Sequence, residues 1–286
     1  MKKTLLTICL VWMCFSLSAQ KIIDLSGKWS FSIDRQDNGE KEKWFSHTLN
    51  DFINLPGSMP EKLKGDEVTA KTQWTGSLYD SSYYYNPYME KYRKEGNIKF
   101  PFFLTPDKHY VGAAWYQKEV NIPADWKGER ILLFLERPHI ETTVWVNGQK
   151  TGMQNSLCVP HQYDITHYVR PGKCTITIRV DNRIKEINVG PDSHSITDQT
   201  QGNWNGIVGR ICLQTTPKTY FDDIQIYPEP EQKLARVKVV IKGTGTAKVK
   251  LSAESFNTDK KHIVPAIQQE IKLNKGVTET EMVLPM

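Results

Sequence analysis

The sequence is poor in the residues that build metal, redox and nucleotide sites. Only five cysteines occur in 286 residues, and none stands in a CxxC or Cys/His spacing, so no zinc or dithiol site is indicated. No HExxH, GxSxG or phosphate-loop pattern occurs, and Gly243–Thr244–Gly245 is not followed by the third glycine of a dinucleotide fingerprint. Neither a metal nor a cofactor is therefore expected. Basic residues are scattered among acidic ones without a dense cluster, which argues against a nucleic-acid partner. Beyond the first twenty residues no apolar run reaches the length that crosses a bilayer, so no membrane partner is expected either. Helical periodicity is scarce.

The amino terminus carries what the rest lacks. Lys2 and Lys3 precede an apolar run from Leu5 to Phe15, and Ser16, Ser18 and Ala19 stand just before Gln20. A short positive segment, a short apolar core and small residues at the end make a cleaved secretory signal, residues 1–19, with cleavage near Ala19. The mature chain is expected in the periplasm or outside the cell. Cys14 is no lipid-anchor site, because Trp12 and Met13 precede it instead of small residues. Loss of Lys2 and Lys3 lowers the formal charge from +5 to +3. Cys158, Cys174 and Cys212 remain; one disulfide plus a thiol is open, and three buried thiols is the plainer reading.

Short apolar runs bounded by Gly, Pro, Asn and Asp recur along the mature chain. Trp29–Ser30–Phe31–Ser32–Ile33 alternates, as does Thr142–Thr143–Val144–Trp145–Val146 ahead of Asn147–Gly148. An Asn-Gly pair between strands favours a tight hairpin, since both residues tolerate positive φ. Thr175–Ile176–Thr177–Ile178–Arg179–Val180 alternates after the Pro171–Gly172 turn. Many short strands with turns between them predict a β-sandwich. Seven tryptophans lie from Trp29 to Trp204 and none beyond, and Pro228–Glu229–Pro230–Glu231 breaks the texture. The expected division is a first domain over 20–218 and a second over 219–286. The second offers four or five strands, fewer than the roughly seven of an immunoglobulin-like sandwich, so the sequence reads as a piece of a longer chain.

Two constellations stand out. Trp74, Tyr79, Tyr83, Tyr84, Tyr85, Tyr88 and Tyr92 sit among Gly, Ser, Asn and Pro in an excursion. Aromatic faces suit the C–H faces of sugars; equally, such rings pack inter-domain seams, the commoner fate of large aromatics. Ser195–Ile196–Thr197–Asp198–Gln199 with Gly202–Asn203–Trp204–Asn205–Gly206 gathers polar groups and one indole on a loop. Asp198 could accept two sugar hydroxyls or cap a turn, and both readings stay open. Glycosidases hold two carboxyl groups about 5–9 Å apart, and no such pair is identifiable here. His161 and His167 read as packed or solvated, and Glu136–Arg137 as structural.

Taken in order, four stretches resemble the N-terminal part of glycoside hydrolase family 2, the family of β-galactosidases, β-glucuronidases and β-mannosidases. They are Asp24–Leu25–Ser26–Gly27–Lys28–Trp29, Leu55–Pro56–Gly57–Ser58, the run from Ala114–Trp115–Tyr116 through Val144–Trp145–Val146–Asn147–Gly148 to Tyr163–Asp164–Ile165–Thr166, and Trp204–Asn205–Gly206–Ile207 with Arg210. The resemblance implies an all-β chain, a jelly-roll (galactose-binding-like) sandwich over 20–218 and a partial immunoglobulin-like sandwich after it. It implies a retaining exo-β-glycosidase whose two catalytic glutamates belong to a barrel absent from this sequence, so no catalytic residue is assigned. The implied partners are a terminal β-linked sugar and that barrel. The implied substrate-binding residues are Asp198, Gln199 and Trp204, although the spacing from Asp198 to Trp204 departs from the β-galactosidase pattern. Two other readings compete, a free-standing carbohydrate-binding module and a purely bracing fragment.

Overall fold

The computed structural model describes residues 21–69, 71–75, 85–98, 105–185, 198, 202–254 and 259–286. The expected signal, residues 1–19, lies outside them. Among the described residues no helix is long and apolar enough to cross a membrane. The chain is all-β.

Two sheets enclose the main core. One runs β1 (Ile22–Asp24), β13 (Gly206–Thr216), β8 (Arg130–Pro138), β11 (His161–Asp164), with β4 (Gly57–Ser58) also paired to β13. The other runs β10 (Gln149–Asn155), β9 (Glu141–Val146), β12 (Gly172–Asp181), β7 (Ala113–Ile122), β2 (Gly27–Asp34), β3 (Asp51–Leu55). A short ribbon of β5 (Asp66–Glu67) and β6 (Lys108–His109) stands apart from both. The pairings of the two large sheets are antiparallel, and together they form a jelly-roll sandwich. Inward side chains fill the space between them, with Trp29, Phe31, Tyr116, Leu133, Leu135, Val144, Ile176, Ile178 and Leu213 almost fully removed from water. Alternation sets which residues face in, because successive side chains of a strand point to opposite faces.

The predicted hairpin is present. Val146 pairs with Gln149 across Asn147 and Gly148, whose φ values of 50° and 78° are those of a type I′ turn. The Leu-Pro-Gly turn meets the Trp-Asn-Gly-Ile stretch: Gly57 pairs with Ile207, and a Cβ at Gly206 would come within 2.5 Å of the Gly57 carbonyl oxygen. Only glycine allows that approach.

The outer face of the six-stranded sheet is not the solvated surface that alternation suggests. Residues 35–50 fold across it, and every residue of β9 is buried. Asp34 accepts hydrogen bonds from the backbone of Asn38 and Gly39 and from Trp115 Nε1 at 2.8–2.9 Å, which starts the fold-over. Trp44 then packs against Trp115, and Phe45 stacks parallel on Trp145 at 5.2 Å. Further along the same face Arg179 joins Asp37, Glu141 and Asp181, while Arg183 and Lys185 also reach Asp181. Burial alone would raise the Asp181 carboxyl, but hydrogen bonds from Arg183 and Lys185 and the Arg179 charge hold it well below the carboxylate range.

Three long strands follow the sandwich: β14 (Tyr220–Glu229), β15 (Leu234–Glu254) and β16 (Ile263–Pro285). Four or five strands were expected. The difference is length: the segments around Val249 and Ile271 are the far halves of β15 and β16, beyond the register shift at Gly243–Gly245. Val237, Val239, Ile241, Val249, Ile271, Leu273 and Met282 form a second apolar cluster, the core of the partial immunoglobulin-like sandwich.

No disulfide forms among Cys158, Cys174 and Cys212. Cys174 and Cys212 are buried as expected, and burial pushes the Cys174 thiol up to about 11. Cys158 is exposed, which corrects the expectation of three buried thiols; it sits in the turn between β10 and β11, outside both sheets. His161 is packed, bonded to Thr142 and the Ser156 carbonyl, and Glu136 is structural, accepting from the backbone and side chain of Arg210 at the β13 bulge.

Candidate functional site

One end of the sandwich collects the loops that the sequence singled out. Asp198 stands there, and its backbone N–H donates to the Thr75 carbonyl at 3.1 Å. Its carboxylate accepts from the backbone of Thr75 at 2.6 Å and of Asn203 at 2.5 Å. The residue is 0 % exposed. It therefore ties two loops, one entering from the aromatic excursion and one leading into β13. Backbone N–H groups supply the partners that a carboxylate taken out of water requires.

Asn203 continues the tie. Its amide donates to Thr75 Oγ1 and the Asn182 carbonyl, and its oxygen accepts from Asn182 Nδ2. Asn182 in turn holds the Gly112 amide and the Tyr110 carbonyl, and Asn205 holds Gly112 and Val180 while accepting from Tyr116. Three buried asparagines thus satisfy backbone groups where the strands open into loops.

Two histidines flank the carboxylate. His109 Nε2 lies 3.5 Å from Asp198 Oδ2 without a well-formed hydrogen bond, and Trp74 meets its ring edge-on at 4.8 Å. His139 is 1 % exposed and stacks on Trp204 at 4.5 Å with 23° between the planes. Neither of its ring nitrogens has a hydrogen-bond partner among the described residues. Asn203 is the polar neighbour: both its amide hydrogens are engaged elsewhere, and its oxygen, which accepts from Asn182, is the group to which a protonated ring would donate. Burial pushes His139 down to about 4, against the pull of Asn203 and the Asp198 charge. At neutral pH it is an uncharged ring.

The three site residues expected from the sequence fare differently once the fold places them. Asp198 is at the centre of the loop end but faces no solvent. Trp204 is partly exposed, with one indole face covered by His139. Gln199 lies outside the described residues, as do Tyr79, Tyr83 and Tyr84. Of the aromatic excursion, Trp74 is buried while Tyr85 and Tyr88 are strongly exposed. Sequence reasoning singled out the stretch that holds Asn203 but missed His109, His139, Thr75 and Asn182. No spacing marks these four, because they come from separate loops and strand ends.

Beside this end lies an open cavity of about 500 Å³, with His109 and Tyr110 in its wall. Much of its charged rim is self-paired: Arg35 with Asp66, Arg183 with Asp37, Glu67 with Lys108. Among the described residues no group of three or more His, Cys, Asp or Glu side chains could hold a metal.

A jelly roll with one loop end ordered around a buried carboxylate belongs to the galactose-binding-like class of sandwiches. Residues 22–217 match the family described as glycosyl hydrolases family 2, sugar binding domain, and the chain belongs to that family. It is 24 % identical over 266 residues to β-glucuronidases of Pongo abelii and Homo sapiens, covering 83 % of this chain and 35 % of theirs. Among solved structures it resembles a β-glucuronidase of an uncultured Clostridium sp. (TM-score 0.57, 20 % identity, 94 % of this chain and 40 % of that one). It also resembles the Ruminococcus gnavus β-glucuronidase in complex with D-glucaro 1,5-lactone (TM-score 0.55, 16 % identity, 93 % and 43 %). The chain thus spans little more than a third of the length of the curated relatives it matches.

Proposed function

We propose that this chain is the non-catalytic N-terminal portion of an exported, retaining exo-β-glycosidase, with a sugar-binding domain over 20–218 and an incomplete immunoglobulin-like domain over 219–286. In this reading the two catalytic glutamates lie on a barrel outside the sequence. The loop end around Asp198 forms one wall of the sugar pocket, with Trp204 on the side that meets the glycone; Gln199, which the family resemblance adds as a sugar contact, lies outside the described residues. The observation that carries the reading is the family match over 22–217 coinciding with a loop end organised around one carboxylate. The names of the relatives make a terminal β-glucuronide the first glycone to test.

The burial of Asp198 favours one variant of this reading. Its carboxylate acts by fixing the Thr75 and Asn203 loops, and contact with a sugar hydroxyl would require the covering loop to open. A bracing role therefore stands beside the binding role, with a free-standing binding module as the third alternative. Titration calorimetry of the chain with D-glucuronate and D-galactose separates them. With one wall present, no saturable heat that depends on Asp198 is expected; tight monosaccharide binding lost in Asp198→Ala would establish the module reading instead.

A further inference from the structure

A second cavity lies on the outer face of the six-stranded sheet, at the end away from Asp198. Loop residues 45–48 form one side, the Asn147–Gly148 turn another, and Gln117 of β7 with Thr175 of β12 the floor. Along β12 the six steps from Thr175 to Asp181 put about 20 Å between it and the base of the Asp198 loop. Its volume is about 320 Å³, at the small end of ligand pockets. No Asp, Glu, Lys or Arg lines it among the described residues, although charged residues make up 24 % of the sequence.

The floor is rigid. Asn147 donates from its amide to the Tyr168 carbonyl, accepts from the Thr175 N–H, and is bonded through its own backbone to the Thr175 carbonyl. Gln117 is buried, and its amide nitrogen commits both hydrogens to the His47 carbonyl and Thr177 Oγ1. That leaves the Gln117 carbonyl oxygen as an acceptor with no partner among the described residues. Phe45 is held from behind by its parallel stack on Trp145, which fixes the ring as a platform at the cavity edge. Apart from the exposed His47 imidazole, which could pair only with an anion, a charged ligand would find no ion partner here, and a purely apolar one would strand the Gln117 acceptor. Hydroxyls beside a fixed aromatic ring satisfy both conditions.

We propose that this cavity is an accessory subsite for a neutral hexose unit of a glycan. It is independent of the reading of the loop end and needs no barrel. The test is tryptophan fluorescence titration of the whole chain with cellotetraose, laminaritetraose and mannotetraose, with tetragalacturonate as the charged control. Saturable binding of at least one neutral tetrasaccharide is expected. Its Kd should rise tenfold or more in Thr48→Trp, an exposed-loop change that fills the cavity, and several-fold in Gln117→Leu, with near-UV circular dichroism confirming the fold. Trp204→Ala should leave it unchanged. Three results would overturn the proposal: no neutral probe binding, tetragalacturonate binding as tightly, or binding that survives Thr48→Trp and is lost in Trp204→Ala. The last would move the sugar to the loop end and leave the reading of that end standing.

Discussion

His139 shows how far a residue's environment can depart from what its letter suggests. Its imidazole is sealed between Trp204 and the Asp198 loop with no hydrogen-bond partner among the described residues, and it titrates near 4 instead of 6.5. Above pH 6.5 the ring is neutral folded and unfolded. Between about 6.5 and 4 the unfolded chain takes up a proton that the folded chain refuses, so stability falls as pH falls across that window. At about pH 4.5 the loss is about 2–3 kcal/mol relative to about pH 7. Urea unfolding at both pH values should show this slope in the wild type, and His139→Gln should lack that part of it. Equal slopes would mean that the ring is hydrated in solution. Asp198 was legible as a loop carboxylate with two open roles. Its burial was not, because the groups that bury it come from residues 75, 109 and 203.

Elements explain why alternation was right about strands and incomplete about surfaces. Thr142–Val146 reads as half-buried, yet β9 is covered on both faces, since a period of two says nothing about a segment from far earlier in the chain folding across the sheet. The polar residues on that face, Thr143, Thr177, Arg179 and Asp181, are buried instead of solvated, and Thr177, Arg179 and Asp181 are hydrogen-bonded or ion-paired. Arg179 is the pivot, with its side chain 9 % exposed and three acids around it. Arg179→Met leaves Asp181 and Glu141 facing each other with fewer cations, and should cost about 3–5 kcal/mol. Asp37→Asn removes a partner whose side chain is 42 % exposed, and should cost under about 1 kcal/mol. Denaturant midpoints of the two variants check the order, and equal losses would contradict the central place given to the buried pairs. The long hairpin was only half legible: four or five short strands were expected after residue 219, whereas β15 runs through Gly243–Thr244–Gly245 with a register shift.

On the scale of the molecule, the order of motifs carried more than any single one. Leu55–Pro56–Gly57 and Trp204–Asn205–Gly206 lie far apart in sequence and meet as β4 and β13, a contact that requires glycine on one side. The second apolar cluster is thinner than the first. Its edge strand β14 leaves Phe221 and Ile224 half exposed and Ile226 more so, in register with buried Ile241, Val239 and Val237. Residues 22–217 belong to the sugar-binding domain of glycosyl hydrolases family 2, and the relatives extend well beyond the matched span. In the proposed reading, bond cleavage belongs to residues outside this sequence, and this chain shapes one wall of the pocket and carries the neutral subsite. Hydrolysis of p-nitrophenyl β-D-glucuronide and β-D-galactoside by the purified chain tests that division most directly. No release of nitrophenol above buffer is the result expected, whereas turnover abolished by replacing a carboxylate of this chain would contradict it.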